Sequence, residues 1–246
     1  MLICDLNCDM GEGMANESLI MPFISSANIA CGFHAGNGET IRQTMDLAMK
    51  HGVHIGAHPS FRDKENFGRK EMHLPSHKLY AIILEQLIKM DLIANERGAR
   101  LHHVKPHGAL YNMAARDNQL AITIATAVKD FNEDLVLYGL SGSCLISEAR
   151  ALGLKTSSEV FADRTYQDDG SLTPRTNENA LIDTEEKSVQ QVLQMVKQGT
   201  VTTVSGKIIP IETETICIHS DSRKAVFFAR RIYNILQQEN VVGQTT

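Results

Sequence analysis

Apolar and polar positions along the chain follow two periods in turn. Short strand-like runs cover Leu2 to Asn7, Ala27 to Cys31, Val53 to Ala57, Leu101 to Lys105, Leu135 to Leu140, Leu154 to Ser158 and Thr215 to His219. Between them, apolar residues recur every three or four positions, as on one face of a helix. Val160 to Ala162 predicts a further short extended piece. Val201 to Val204 and Lys207 to Ile211 predict a small hairpin around Ser205-Gly206.

The expected helix over 38–51 shows how its ends are written. Asn37 can cap it, Ile41, Met45, Ala48 and Met49 form its stripe, and Gly52 can end it. A longer helix is expected from Ser76 to Arg97, started by Pro75 and stopped by Gly98, with Leu79, Ile83, Leu87 and Met90 on one face. Others are expected from Asp117 to Lys129, from a Ser143 cap to Leu152, from a Thr184 cap through Val196, and from about Asp221 to Gln238.

That order amounts to about seven βα units in 246 residues, with no Pro/Ser-rich linker. It predicts one domain over 1–246, a TIM-like (β/α) barrel of about seven strands, with a doubly wound open sheet as the alternative. In both architectures ligands bind beyond the carboxyl ends of the strands. The polar motifs fall there.

Composition narrows the partners. Net charge is −5 and no Lys/Arg-rich block occurs, which argues against nucleic acid or an anionic membrane. The longest apolar run, Leu120 to Val128, is too short to span a bilayer, and Asp5 and Asp9 interrupt the N-terminus. A cytoplasmic protein is expected. The five cysteines are odd in number and contain no C-x-x-C, so buried reduced thiols are expected.

Three turns concentrate the chemistry: Gly32-Phe33-His34-Ala35-Gly36, Gly56-Ala57-His58-Pro59, and Lys105-Pro106-His107-Gly108. Each follows an apolar run and sets a histidine against Gly or Pro, as a strand would deliver a polar side chain into a tight turn. Lys105 can stabilise a developing oxyanion, and His107 can move a proton near neutral pH. Asp5, Asn7 and Asp9 alternate, so on a strand they share one face, facing a barrel interior. Asp163-Arg164 places an acid and a guanidinium after an apolar run, and Arg69 and Arg175 lie in polar loops where either could clamp a carboxylate. No P-loop, G-x-G-x-x-G, G-x-S-x-G or H-E-x-x-H motif occurs.

Asp5 to Glu12, Ala27 to Asn37, Gly56 to Phe61 with Asn66 to Arg69, His103 to Asn112, Glu159 to Arg164 and Ile218 to Asp221 resemble, in order, the signature blocks of the LamB/YcsF lactam-utilisation family. The resemblance implies a seven-stranded barrel related to glycoside hydrolase/deacetylase folds. It also implies ATP-dependent opening of 5-oxo-L-proline to L-glutamate with 5-oxoprolinase subunits B and C, using ATP with Mg2+. On that implication His107 takes a proton from water and Lys105 stabilises the phosphorylated oxygen. His34 and His58 orient the ring. Asp5 and Asp163 complete the catalytic set, and Asn7, Arg69, Arg164, Arg175 and His219 bind substrate. No tightly bound metal is expected. The family commonly has Asp at position 37 and Gly at 220, where this chain has Asn37 and Ser220. A metal-dependent deacetylase-like amide hydrolase and a non-catalytic binding or regulatory subunit remain as other readings.

Overall fold

Seven parallel strands close into a barrel in the computed structural model, which describes residues 4–219 and 225–241. In chain order the strands are β1 (Asp5–Met10), β2 (Ser26–Ala30), β3 (His54–His58), β4 (Leu101–Val104), β5 (Val136–Leu140), β6 (Lys155–Phe161) and β9 (Thr215–Ile218). β9 pairs with both β6 and β1 and closes the ring. The expected hairpin forms as β7 (Thr200–Thr202) and β8 (Ile208–Pro210), antiparallel and outside the barrel. The helices are α1 (Glu17–Ile20), α2 (Gly38–His51), α3 (Ser76–Glu96), α4 (Gly108–Ala114), α5 (Asn118–Phe131), α6 (Cys144–Ala151), α7 (Glu185–Gln198) and α8 (Ala225–Gln238). None among the described residues is long and apolar enough to cross a membrane.

Local chemistry sets the helix ends where the sequence puts them. The Asn37 side chain accepts from the Glu39 and Thr40 amides, while the Thr40 hydroxyl accepts from the Asn37 amide, a reciprocal cap. Asn therefore serves the position as well as Asp would. Gly52 takes φ 67° behind α2. Asp117, Ser143 and Thr184 each accept a first-turn amide of α5, α6 and α7. The beginnings expected at Leu2 and Asp221, and Ser220, lie outside the described residues.

Two strands differ from the sequence expectation for one reason. β1 continues through Asp9 to Met10, and β6 is one strand, not two pieces. Asp9 and Glu159 interrupt apolar patterning without ending the strand, because both are buried at the barrel and paired with Lys105. Leu6, Cys8 and Met10 alternate with the polar residues of β1 and belong to the apolar core. α4 was not expected, since seven residues are too few to display a helical period.

The barrel interior is polar where such barrels are commonly filled by branched aliphatic side chains. At the amino end of β1, Asp5 accepts from the Ser25, Ser26, Tyr138 and Thr215 hydroxyls. Above it, Asn7 donates to Glu159 and Thr215 and accepts from Asn28, and His103 Nε2 lies 2.8 Å from Asn28 Oδ1. The His103 ring, stacked on Tyr138 at 4.2 Å, fills the space at Gly56, where a Cβ would overlap the imidazole.

Candidate active site

Strand ends and the turns beyond them bring His34, His58, Lys105, His107, Asp163 and His219 to the carboxyl end of the barrel. A cleft of about 950 Å³ opens over them, lined by Asp9, Lys105, Tyr111, Phe161, His219 and several arginines, among others. Arg69, Arg164 and Arg175 all reach it. Asp5 does not, standing at the opposite end of β1, with both carboxylate oxygens engaged. Asn7 is fully buried one layer beneath the cleft, where it positions Glu159 and Lys105.

The loop that covers the histidines depends on Gly68. It takes φ 65°, and a Cβ there would lie 2.9 Å from His34 Cβ and 3.0 Å from His107 Cδ2. Phe67 beside it holds φ 55°, a sparsely populated conformation for an aromatic residue. That conformation accompanies a Phe67 carbonyl placed 2.9 Å from His107 Nε2. From the other side, the buried Gln86 of α3 clamps the Ser60 backbone through both its amide groups.

Hydrogen bonds fix the proton on each ring. Carbonyls only accept, so His58 Nδ1 donates to the Lys105 carbonyl at 2.7 Å and His107 Nε2 donates to the Phe67 carbonyl. The Ser60 hydroxyl donates to the Phe61 carbonyl, so it accepts from His34 Nδ1 at 2.9 Å. The remaining nitrogens converge. His58 Nε2 lies 2.9 Å from His107 Nδ1, and His34 Nε2 lies 3.1 Å from Glu12 Oε1. His34 and His107 stack with centroids 3.7 Å apart. Burial, with the neighbouring His58, pushes His34 down to about 3 and holds His107 well below the usual imidazole range. Burial and Asp9 raise the Glu12 carboxyl.

Lys105 is the hub of the cleft floor. Its ammonium lies 2.7 Å from Glu159 Oε1, 3.0 Å from Asp9 Oδ1, 3.3 Å from Asn7 Oδ1 and 3.1 Å from Cys217 Sγ. Burial opposes its charge, but the two carboxylates outweigh burial and hold it well above the ordinary lysine value. It is a fixed cation and not a base. Burial pushes the Cys217 thiol well up, so Cys217 stays protonated. Tyr111, carried by α4, is likewise held protonated by burial and the adjacent Glu159.

Across the floor, His219 Nδ1 donates to Asp163 at 2.9 Å, and the His219 amide donates to the same carboxylate. The ring stacks on Phe161 at 5.6 Å. Burial works against the Asp163 charge, but His219 and Arg175 keep the group below its ordinary value. Arg164 donates to the Thr173 carbonyl at 2.6 Å and the Ala180 carbonyl at 3.4 Å. It therefore ties down the segment between β6 and α7, and burial together with Arg175 lowers it to about 10.

Sequence reasoning left Asp9, Glu12, Glu159 and Tyr111 out of the site. Asp9 was legible as the last of the alternating polar residues of β1. Glu12 stands between two glycines, and Glu159 is a lone acid between Ser158 and the apolar Val160-Phe161-Ala162. Tyr111 carries no local signal.

The profile of the LamB/YcsF family matches residues 4–246. The A subunit of 5-oxoprolinase from Bordetella pertussis is 49% identical over 245 residues, covering 98% of this chain and 97% of the relative. Its counterpart of the same name from Bacillus cereus is 48% identical over 247 residues, covering 98% of each. The crystal structure of a lactam utilization protein from Thermus thermophilus superimposes with a TM-score of 0.92, at 39% identity and over the whole of both chains. The chain belongs to the LamB/YcsF family.

Proposed function

We propose that this LamB/YcsF chain is the A subunit of an ATP-dependent 5-oxoprolinase. It opens 5-oxo-L-proline to L-glutamate, with release of ADP and phosphate, together with partner subunits B and C. The observation that carries the reading is near-half identity, over almost its whole length, to relatives named as the A subunit of 5-oxoprolinase. The cleft supports it. Its volume far exceeds a molecule the size of proline and leaves room for a nucleotide.

The chemistry explains the need for ATP. An unstrained lactam is a poor electrophile. Transfer of the γ-phosphoryl group to the lactam oxygen releases ADP and makes the ring carbon attackable. Water then adds, the ring nitrogen leaves with a proton, and a second water hydrolyses the resulting acyl phosphate to glutamate and phosphate. ATP enters with Mg2+, which offsets its phosphate charge.

Roles follow from proton placement. His219 takes the proton from water through Nε2, because Asp163 holds Nδ1 and stabilises the imidazolium that forms. The sequence pointed to His107 for this step. The preference for His219 rests on His107 having Nε2 on the Phe67 carbonyl and Nδ1 on His58. Lys105 supplies fixed positive charge beneath the reacting oxygen. Arg69 and Arg175 take the substrate carboxylate and phosphate groups, and Arg164 positions the loop that carries Arg175.

The test is reconstitution. The chain mixed with subunits B and C is expected to release ADP and phosphate and to form glutamate only when 5-oxoproline and ATP are both present. Full turnover by the chain alone would refute the partner requirement. Glutamate formed without ADP would refute ATP coupling.

A further inference from the structure

No tightly bound metal was expected, yet the histidine group gathers several nitrogens with their free sides turned toward one point. His58 and His107 each donate one ring N–H to a backbone carbonyl. Their other nitrogens face each other at 2.9 Å, and in neutral rings both carry lone pairs. Two lone pairs in contact repel; a proton shared between them relieves this, and so does a metal ion bound by both, which the convergence of two further donors favours. His34 repeats the arrangement, with Nδ1–H on Ser60 Oγ and Nε2 turned toward Glu12.

We propose that Glu12, His34, His58 and His107 form a binding site for one first-row divalent transition-metal ion. Four donor atoms, one from each residue, lie within 4.8 Å of one another. Three of the separations are 2.9, 3.1 and 3.4 Å. Tetrahedral bonds of 2.0–2.1 Å place ligand atoms about 3.3 Å apart, so small side-chain adjustments complete the sphere. Each imidazole is oriented by an acceptor on its far nitrogen, the arrangement that fixes tautomer and ring direction in metal-ligating histidines. Three imidazoles and a carboxylate suit zinc and its neighbours, whereas calcium and magnesium require oxygen donors.

The surroundings fit a cation reached from solvent. Glu12, His58 and His107 line the cleft, and the Asp9 carboxylate lies 3.3 Å from His58 Nε2. A second grouping, Asp9, Cys217 and His219, is not a rival, because the Lys105 ammonium already contacts both Asp9 and Cys217. The metal site rests on this geometry and not on the oxoprolinase reading. Metal binding without turnover would sink the oxoprolinase reading and leave the site, and turnover by a chain that binds no metal would do the reverse.

Chelator-treated full-length chain is titrated with Zn2+ by calorimetry and with Co2+ by visible absorption. One ion per chain is expected, with Co2+ bands of nitrogen and oxygen coordination and no sulfur charge transfer. Ser60→Ala keeps every ligand and removes only the acceptor behind His34, and it is expected to weaken binding about 10- to 100-fold. The His34→Gln/His107→Gln double variant is expected to abolish binding. Absence of binding by the folded wild-type chain overturns the proposal, as does unchanged affinity in the double variant. Should that variant fail to fold, unchanged affinity in Ser60→Ala overturns it alone.

Discussion

Replacing Lys105 by Met is expected to cost the fold more than any surface change. The ammonium lies between two buried carboxylates, 2.7 Å from Glu159 and 3.0 Å from Asp9. Methionine fills much the same volume but leaves Glu159 without its cation and Asp9 with the neighbouring histidines alone. Removing one partner of a buried ion pair costs about 3–5 kcal/mol. In a chain of this length each kcal/mol moves the melting temperature by about 2–4 °C, which gives a fall of roughly 6–20 °C. Urea unfolding followed by far-ultraviolet circular dichroism at pH 7 measures the loss directly.

The loss has a signature in pH. In the wild type, burial works against the Asp9 charge, but His58 and Lys105 hold its carboxyl well below the usual range. That group therefore contributes stability above its unfolded value, and the contribution disappears as pH falls through the folded one. In Lys105→Met, Asp9 keeps His58 but loses the ammonium, so burial weighs more heavily against its charge, its folded value rises, and the variant loses less stability than the wild type as pH falls. The gap between the two proteins narrows from pH 7 toward pH 4. Adding Glu159→Gln removes one orphaned charge and is expected to restore at least about 1 kcal/mol. A gap under about 1 kcal/mol at pH 7, or one of constant size across that pH range, would refute the reasoning.

Gly56→Ala drives a Cβ into the His103 imidazole, so the ring must leave Asn28 and Tyr138. A calorimetric loss of about 1–3 kcal/mol or more is expected, and an unchanged melting temperature would deny that the ring fills the barrel. Asp5→Asn is expected to lower the melting temperature while kcat and KM of the reconstituted enzyme stay near wild type. A large fall in kcat at unchanged stability would return Asp5 to the catalytic set. His219→Asn is expected to lower kcat about 100- to 10,000-fold, with a smaller change in KM, in steady-state assays. Asp163→Asn is expected to destabilise at neutral pH. Its folded value lies below the ordinary 3.8, so that difference fades as pH drops through the folded value, which acid titration of unfolding detects.

How much of this was legible depends on how far apart in sequence the partners stand. The α2 cap, Asn37 to Thr40, is a local exchange, and the sequence displays it. The strand order follows from period and spacing. The pairs that define the site are distant: Asn7 meets Glu159 152 positions away, and Lys105 meets Asp9 96 positions away. An acid whose partner is remote looks like a strand end, which is why β1 and β6 were expected to stop early. Asp5 and Asp9 show a second limit. Their shared face was readable, but not their height. Four residues of strand separate them by about 13 Å, which puts one in the hydroxyl network at the barrel's base and the other in the cleft. Arg164 shows a third. The family resemblance implied that it binds substrate, and only the fold reveals that it donates to the Thr173 and Ala180 carbonyls.

The two sides of the cleft use the same residue type for opposite ends, and the difference lies in what the second nitrogen touches. On the β2–β4 side, neutral acceptors hold one nitrogen of His34, His58 and His107, and the other nitrogens face one another and the Glu12 and Asp9 carboxylates. For His34 and His107 burial and the neighbouring imidazoles outweigh those carboxylates, so these rings present lone pairs and take up protons poorly. On the β6–β9 side, a carboxylate holds His219, and protonating the ring creates an ion pair with Asp163. Such a histidine can accept a proton and return it. Lys105 stands between the two, its donors committed to Asp9, Glu159 and Asn7, and with His58 keeps Asp9 ionised. Proton transfer and lone-pair donation are thereby kept apart across one floor. Imidazole nitrogen chemical shifts followed over pH test this division: His34 and His107 are expected to stay neutral through the physiological range.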